Sequence, residues 1–255
     1  MIRRNYISIA NRFALGAIWG MGMGLFGSAV RRNNVGADAL SASTNKRILC
    51  YGDSLTAGTI GFGEPQLFPY SKYLEESLKV IDPNANIAVR HRGFPGWTAE
   101  MMVEQRNVEG VGLIEALNKY DGINLVIILA GTNDLGIAFQ SDMDEEESIE
   151  KIVDSITALH KLAHDKKVQT LAIAIPESGF QCQVPEAKSL ATKINERLDD
   201  WCTHNCDMTA FIEFPFGWKA DDSRWSNDGL HFSAEGYFEI AKSIAPVAYM
   251  NIRTL

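Results

Sequence analysis

The sequence predicts an α/β fold, a five-stranded parallel sheet with helices on both faces. Three observations carry this. Short apolar runs alternate with helical stretches from Lys46 onward. The strongest run, Asn124–Ala130, is apolar on both alternations, as a strand covered on both faces must be. The chain has 255 residues, 46% hydrophobic and 22% charged, enough for one large core without disulfide staples.

The elements follow in order. Arg47–Tyr51 reads as a buried strand ending at Gly52. Phe68–Lys79 has a helical apolar pattern that stops before Asp82-Pro83. Asn86–Arg90 reads as the second strand, and Thr98 as the cap of a helix through Met101, Met102 and Val103. Leu113–Tyr120 reads as a helix broken by Asp121-Gly122, after which Asn124–Ala130 is the third strand. Ser148–His164 is amphipathic, and the acidic run Asp142–Glu147 sits at its start, where the helix dipole favours negative charge. Val168–Ile175 is the next buried strand. Pro185–Cys202 is a helix with Pro and Glu at its first positions. Met208–Phe214 is the fifth strand, and Ser233 caps a last helix through Ala241. This alternation implies right-handed crossovers, with ligands at the carboxyl ends of the strands.

Residues 1–45 read as a separate segment, and 46–255 as the folded domain. Phe13–Val30 is an uncharged apolar run at the lower limit of a membrane span, flanked by Arg3, Arg4 and Arg12 before and Arg31 and Arg32 after. Three readings stand: a signal anchor associating with a membrane through 13–30, a cleaved secretory signal, and an organellar presequence. A membrane-anchored or organelle-targeted location is expected over a plain cytoplasmic one. Asn33–Asn45 is small and polar, as a linker is.

The net charge of −8 hides an asymmetry. Met1–Arg47 carries +6, which leaves −14 for the rest. A body this acidic excludes nucleic acid as the expected partner, because phosphate binding needs clustered Lys and Arg. The four cysteines, Cys50, Cys182, Cys202 and Cys206, are too sparse for a disulfide scaffold. Cys202 and Cys206 read as two thiols near a helix end, since no second pair is spaced for zinc. His160 and His164 share a helix face with no carboxylate positioned beside them, and read as a solvated face rather than a metal site.

The polar residues gather at strand ends. The loop after strand one reads Gly52-Asp53-Ser54-Leu55-Thr56, after strand two Arg92-Gly93-Phe94-Pro95-Gly96-Trp97-Thr98, and after strand three Gly131-Thr132-Asn133-Asp134. Asp228-Gly229-Leu230-His231 precedes the last helix. A serine hydroxyl needs a base to become a nucleophile, and His231 is the candidate for Ser54. Asp228 reaches the other ring nitrogen and fixes the tautomer. Acyl transfer also needs donors aimed at the developing oxyanion: the backbone N–H groups of Ser54 and Gly96 and the side-chain amide of Asn133 suit that role. Read alone, Ser54 is a turn serine, Asn133 a local cap and Asp228 a turn residue. Asp53 and Asp134 are expected to hold loops through backbone hydrogen bonds rather than to react.

Gly52-Asp53-Ser54-Leu55, a glycine loop, Gly131-x-Asn133-Asp134 and Asp228-x-x-His231 together resemble the SGNH-hydrolase family, also called GDSL esterases and lipases. All four blocks appear in order. The resemblance implies a flavodoxin-like three-layer α/β/α fold and serine esterase chemistry without a metal or other cofactor. It implies Ser54 as nucleophile, Asp228 and His231 as its relay, and Ser54, Gly96 and Asn133 as the oxyanion hole. The second block departs from many members, with Trp97 where they carry a polar residue, and Gly93 is a rival to Gly96.

Apolar residues crowd the same loops: Phe62, Phe68, Tyr70, Leu135, Ile137, Phe139, Trp218 and Trp225. They either form an acyl or aryl pocket, with Phe62, Leu135 and Trp225 as its candidate lining, or pack the loops onto the core. The expected function is a serine-dependent carboxylic ester hydrolase acting on a small-molecule or lipid ester through an acyl-enzyme. An acyltransferase on the same triad and a non-catalytic binding module are its rivals.

Overall fold

The computed structural model describes residues 45–61 and 63–253. The apolar run at 13–30 and Phe62 lie outside them. Among the described residues no helix is long and apolar enough to cross a membrane.

The strands are β1 (Lys46–Asp53), β2 (Ile87–Phe94), β3 (Ile123–Leu129), β4 (Gln169–Ile173) and β5 (Thr209–Ile212). They form one sheet in the order β2-β1-β3-β4-β5, parallel throughout. The helices are α1 (Ser54–Ala57), α2 (Tyr70–Ile81), α3 (Ala99–Glu104), α4 (Leu113–Lys119), α5 (Thr132–Gln140), α6 (Glu145–His164), α7 (Gly179–Gln183), α8 (Pro185–His204) and α9 (Ala234–Arg253).

Strand β3 explains the three layers. Its side chains alternate between faces. Val126 and Ile128 enter one core with residues of α3, α4, α5, α6 and α8. Leu125, Ile127 and Leu129 enter another with residues of α2 and α9. Both faces are therefore sealed, which removes the reason for polar alternation. The chain steps from β1 outward to β2 and returns to β3 on the other side of β1. That reversal is the topological switch point, between β1 and β3, and such sheets bind ligands at the carboxyl ends of these strands.

Several boundaries differ from those the sequence predicts. Helix α6 starts within the acidic run, because Asp144 caps it through the Glu147 N–H at 2.9 Å and Glu145–Glu147 form its first turn. The last helix runs about three turns past Ala241 to Arg253, with Pro246 inside it. Its predicted cap stands: Ser233 Oγ accepts from Gly236 N at 3.2 Å. Helices α1, α5 and α7 are additions to the predicted elements.

The two-histidine face is the main correction. His160 is fully buried and His164 partly so. His160 Nδ1 lies 2.8 Å and His164 Nε2 3.0 Å from Thr170 Oγ1. Thr209 Oγ1 completes the group, 2.9 Å from both His164 Nε2 and Thr170 Oγ1. His160 recurs with Ile149, Ile152, Ile156 and Ala163 on the buried face, and that helical spacing places it inside. Cys202 is buried on α8 and Cys206 is exposed just past its end. Among the described residues no group of His, Cys, Asp and Glu is arranged to hold a metal.

Candidate active site

The end of β1 delivers Ser54 to the switch point between β1 and β3. Asp53 caps α1, its Oδ1 accepting from Leu55 N at 2.9 Å, so the chain turns sharply and Ser54 becomes the first helical residue. Ahead of α9, Trp225 and Phe232 pair antiparallel and bind the ends of the loop between them. Within it Asp228 Oδ1 accepts from both Leu230 N and His231 N at 2.9 Å. Those two bonds fix Asp228 and His231 as one unit.

His231 Nδ1 then sits 2.7 Å from Asp228 Oδ2, and His231 Nε2 sits 3.0 Å from Ser54 Oγ. An ionised carboxylate only accepts, so the ring proton belongs on Nδ1 and Nε2 accepts from the serine hydroxyl. Burial pushes the Asp228 carboxyl up, but the His231 ring and the two backbone N–H groups outweigh it and hold the pKa below its ordinary value. Asp228 therefore stays charged near neutral pH, as a group that stabilises an imidazolium must. Ser54 is 7% exposed and His231 3%, so little water reaches the bond between them.

The loop after β2 is a tight turn. Trp97 N donates to Phe94 O at 3.1 Å, with Pro95 and Gly96 at the centre and Gly96 at φ +82°. Pro followed by a left-handed Gly is the signature of a type II turn. Gly93 serves packing. A Cβ there would stand 2.1 Å from Ala57 N, so the bare backbone lets β2 approach α1. From the end of β3, Asn133 Nδ2 donates to Trp97 O at 2.9 Å, joining the two loops and leaving its second amide proton to point elsewhere. Asp134 accepts from Ala99 N with both carboxylate oxygens at 3.0 Å. Asp53 and Asp134 thus bind backbone, as expected from the sequence. Burial drives both pKa values up, to about 7 and about 6.

Ser54, Asp228 and His231 thus meet, and Asn133 is bonded to the Gly96 turn. Two of the candidate pocket residues fall elsewhere. Leu135 is 3% exposed within one core, and Trp225 is 7% exposed, its ring centroid 4.5 Å from that of Phe232 within the other. Neither offers an open surface, because Leu135 faces inward from α5 and Trp225 from the loop before α9. Tyr70 is likewise fully buried, whereas Ile137 is 54% exposed.

Three bonds, two to the histidine loop and one from α9 to the segment after α1, carry no sequence signal. Ser226 Oγ donates to Ile60 O, Gly179 N donates to Gly229 O at 2.8 Å, and Tyr237 OH donates to Thr59 O at 2.5 Å. Each joins segments far apart in sequence through a backbone carbonyl, which any residue type supplies.

Comparison with known proteins speaks to the family and the fold. The model of the GDSL-like Lipase/Acylhydrolase family matches residues 50–237. Among solved structures the chain is similar to Est24, a carbohydrate acetylesterase from Sinorhizobium meliloti, at 19% identity over 81% of this chain and 99% of that one, with a TM-score of 0.61. It is similar to the lipase Lip_vut3 from a goat rumen metagenome, at 15% identity over 80% and 98%, with a TM-score of 0.63. The aryl esterase of M. smegmatis gives 18% identity over 82% and 99%, with a TM-score of 0.58. At such identities the likeness speaks for the fold. A search of the curated proteins found no match. The family match covers most of the chain, and with it the protein belongs to the GDSL-like lipase/acylhydrolase family, as a hydrolase acting on ester bonds.

Proposed function

We propose that the protein hydrolyses carboxylic esters through an acyl-enzyme on Ser54. The observation that carries this reading is the unbroken hydrogen-bond chain from Asp228 through His231 to Ser54, at 2.7 and 3.0 Å. Ser54 Oγ attacks the ester carbonyl carbon while His231 Nε2 takes its proton. The imidazolium, held by Asp228, returns that proton to the leaving alcohol as the C–O bond breaks. Water then attacks the acyl-enzyme with His231 as base, and the acid leaves. The negative charge on the tetrahedral oxygen is met by the N–H groups of Ser54 and Gly96 and by Asn133 Nδ2. No step calls for a cofactor. The substrate is a small-molecule or lipid ester.

Residues 1–45 we propose as a targeting or anchoring segment. Fusion of Met1–Asn45 to a fluorescent protein tests it. Membrane retention supports an anchor, an organellar pattern without retention supports a presequence, and diffuse cytoplasmic signal refutes both.

The catalytic reading is tested by hydrolysis of a chromogenic ester series, from acetyl to long acyl chains, by the full chain and its Ser54→Ala variant. Turnover that disappears with Ser54 supports it, and the preferred chain length measures the acyl site. Equal turnover by the variant refutes it.

A further inference from the structure

Asn133 and Asp134 are consecutive, yet their side chains grip one short stretch of backbone at two points. Asn133 Nδ2 holds the Trp97 carbonyl at 2.9 Å, and Asp134 Oδ1 and Oδ2 both hold the Ala99 N–H at 3.0 Å. Only Thr98 lies between, and its own Oγ1 accepts from Met101 N at 3.1 Å and caps α3. The residue before Trp97 is Gly96, at the tip of its turn.

Asp134 is an expensive choice for this position. It is 7% exposed, and burying a carboxylate costs free energy unless its partners compensate. Burial raises its pKa to about 6, so the partners compensate only in part. Packing alone would be served by an apolar side chain of similar size. What the carboxylate adds is a directional hold on the Ala99 N–H.

We infer that Asp134 is a positioning residue for the oxyanion hole: through Ala99 it fixes residues 96–99 against α5 and so aims the Gly96 N–H. The inference rests on the reading of Ser54, Gly96 and Asn133 given above. Such donors act only when held where charge develops, and a displacement of 1 Å costs on the order of 10²-fold in rate.

The test uses the full chain with sites counted by stoichiometric fluorophosphonate labelling, so that misfolded protein is excluded. Asp134→Ala is expected to lower kcat per labelled site roughly 10²-fold and to move KM for a short acyl ester less than about threefold. A boronic acid that forms a tetrahedral adduct on serine should lose affinity by the same factor as kcat/KM. Asp134→Asn keeps one oxygen for Ala99 and should recover most of the loss.

Ala99→Pro removes the donor from the other side but sets the ring Cδ against the Asp134 carboxylate, so it is read beside the double variant with Asp134→Ala, which lacks that contact. Proline is accepted at the first position of a helix, and Thr98 already has the extended conformation that precedes it, at φ −82° and ψ 163°. It should reproduce the kcat loss, and the double variant should be no worse than either single one. Labelled sites that turn over within threefold of the unsubstituted rate in both single variants overturn the inference, whatever happens to the melting temperature. Ser54→Ala is measured beside them. Turnover that survives Ser54→Ala refutes the underlying reading, whereas a Ser54-dependent enzyme indifferent to Asp134 and Ala99 refutes this inference alone.

Discussion

Two histidine sites in this molecule are buried about equally and have opposite partners. His231 is 3% exposed at the carboxyl end of the sheet, with a carboxylate 2.7 Å from one ring nitrogen and a serine hydroxyl 3.0 Å from the other. His160 is fully buried between α6 and β4, with a threonine hydroxyl 2.8 Å from Nδ1 and no hydrogen bond to Nε2 among the described residues. Burial, reinforced by His164, pulls the His160 pKa down to about 3. Burial also lowers that of His164. The contrast teaches that burial alone makes a histidine inert. His231 differs in its partner: a carboxylate lies beside its ring, as the general base of the proposed mechanism needs.

The contrast is broken most severely at the nucleophile. Ser54→Ala should cost about 10⁴–10⁶ in kcat, by analogy with single triad deletions in other serine hydrolases. Steady-state kinetics on a chromogenic ester measures it, and a loss below tenfold removes Ser54 from the mechanism. Asn133→Ala should cost roughly 10²–10³ in kcat. If kcat stays within threefold while Ser54→Ala is inactive, the oxyanion assignment is wrong.

Acid should sharpen the contrast. His160 binds a proton near pH 6.5 when unfolded and near 3 when folded, so the unfolded chain binds more protons between those values. Its stabilising contribution is complete above pH 6.5 and is lost as pH falls toward 3, by up to about 1.4 kcal/mol per pH unit. Asp53 and Asp134 act in the opposite sense. Their folded pKa values of about 7 and about 6 lie above the ordinary 3.8, so lowering the pH from 7 to 4 favours the folded state through them. In urea titrations across pH 7–4, His160→Gln should therefore remove the destabilising contribution and leave ester turnover at pH 7.5 within about twofold. An unchanged pH slope in that variant would show that His160 is not the acid-sensitive group.

The smallest effect lies furthest from the rim. Lys167 ends the turn after α6 at φ +61°, in the left-handed region that costs a side chain. Lys167→Gly should raise stability by about 0.5–1 kcal/mol, read as a higher melting temperature, with kcat unchanged.

These two regions also differ in how legible they are in the sequence. The rim is legible because its chemistry sits in short blocks at strand ends. The Asp228-x-x-His231 spacing lets one carboxylate bind the His231 backbone and ring together, so the contact is local. Strand β3 is legible because a double-faced apolar run has few other uses. The His160 cluster is not, because its partners, Thr170 and Thr209, lie on separate strands. Polar residues that pair across the fold look like surface residues in sequence. Helix α5 is hidden for a related reason: Thr132–Gln140 opens with the residues that grip the neighbouring loop, and such residues resemble a loop themselves. Leu135 and Trp225 follow the rim motifs in sequence or precede them, which suggests a pocket, whereas their side chains turn inward to the two cores.

The most direct test of the account is to trap the intermediate. The full chain is mixed with a saturating activated ester, quenched in acid within one turnover, digested and mapped by mass spectrometry. The account predicts one acyl group, carried by Ser54 and absent from the Ser54→Ala protein. An enzyme that turns over the same ester with no acyl group on Ser54, or with the group on another residue, would contradict it.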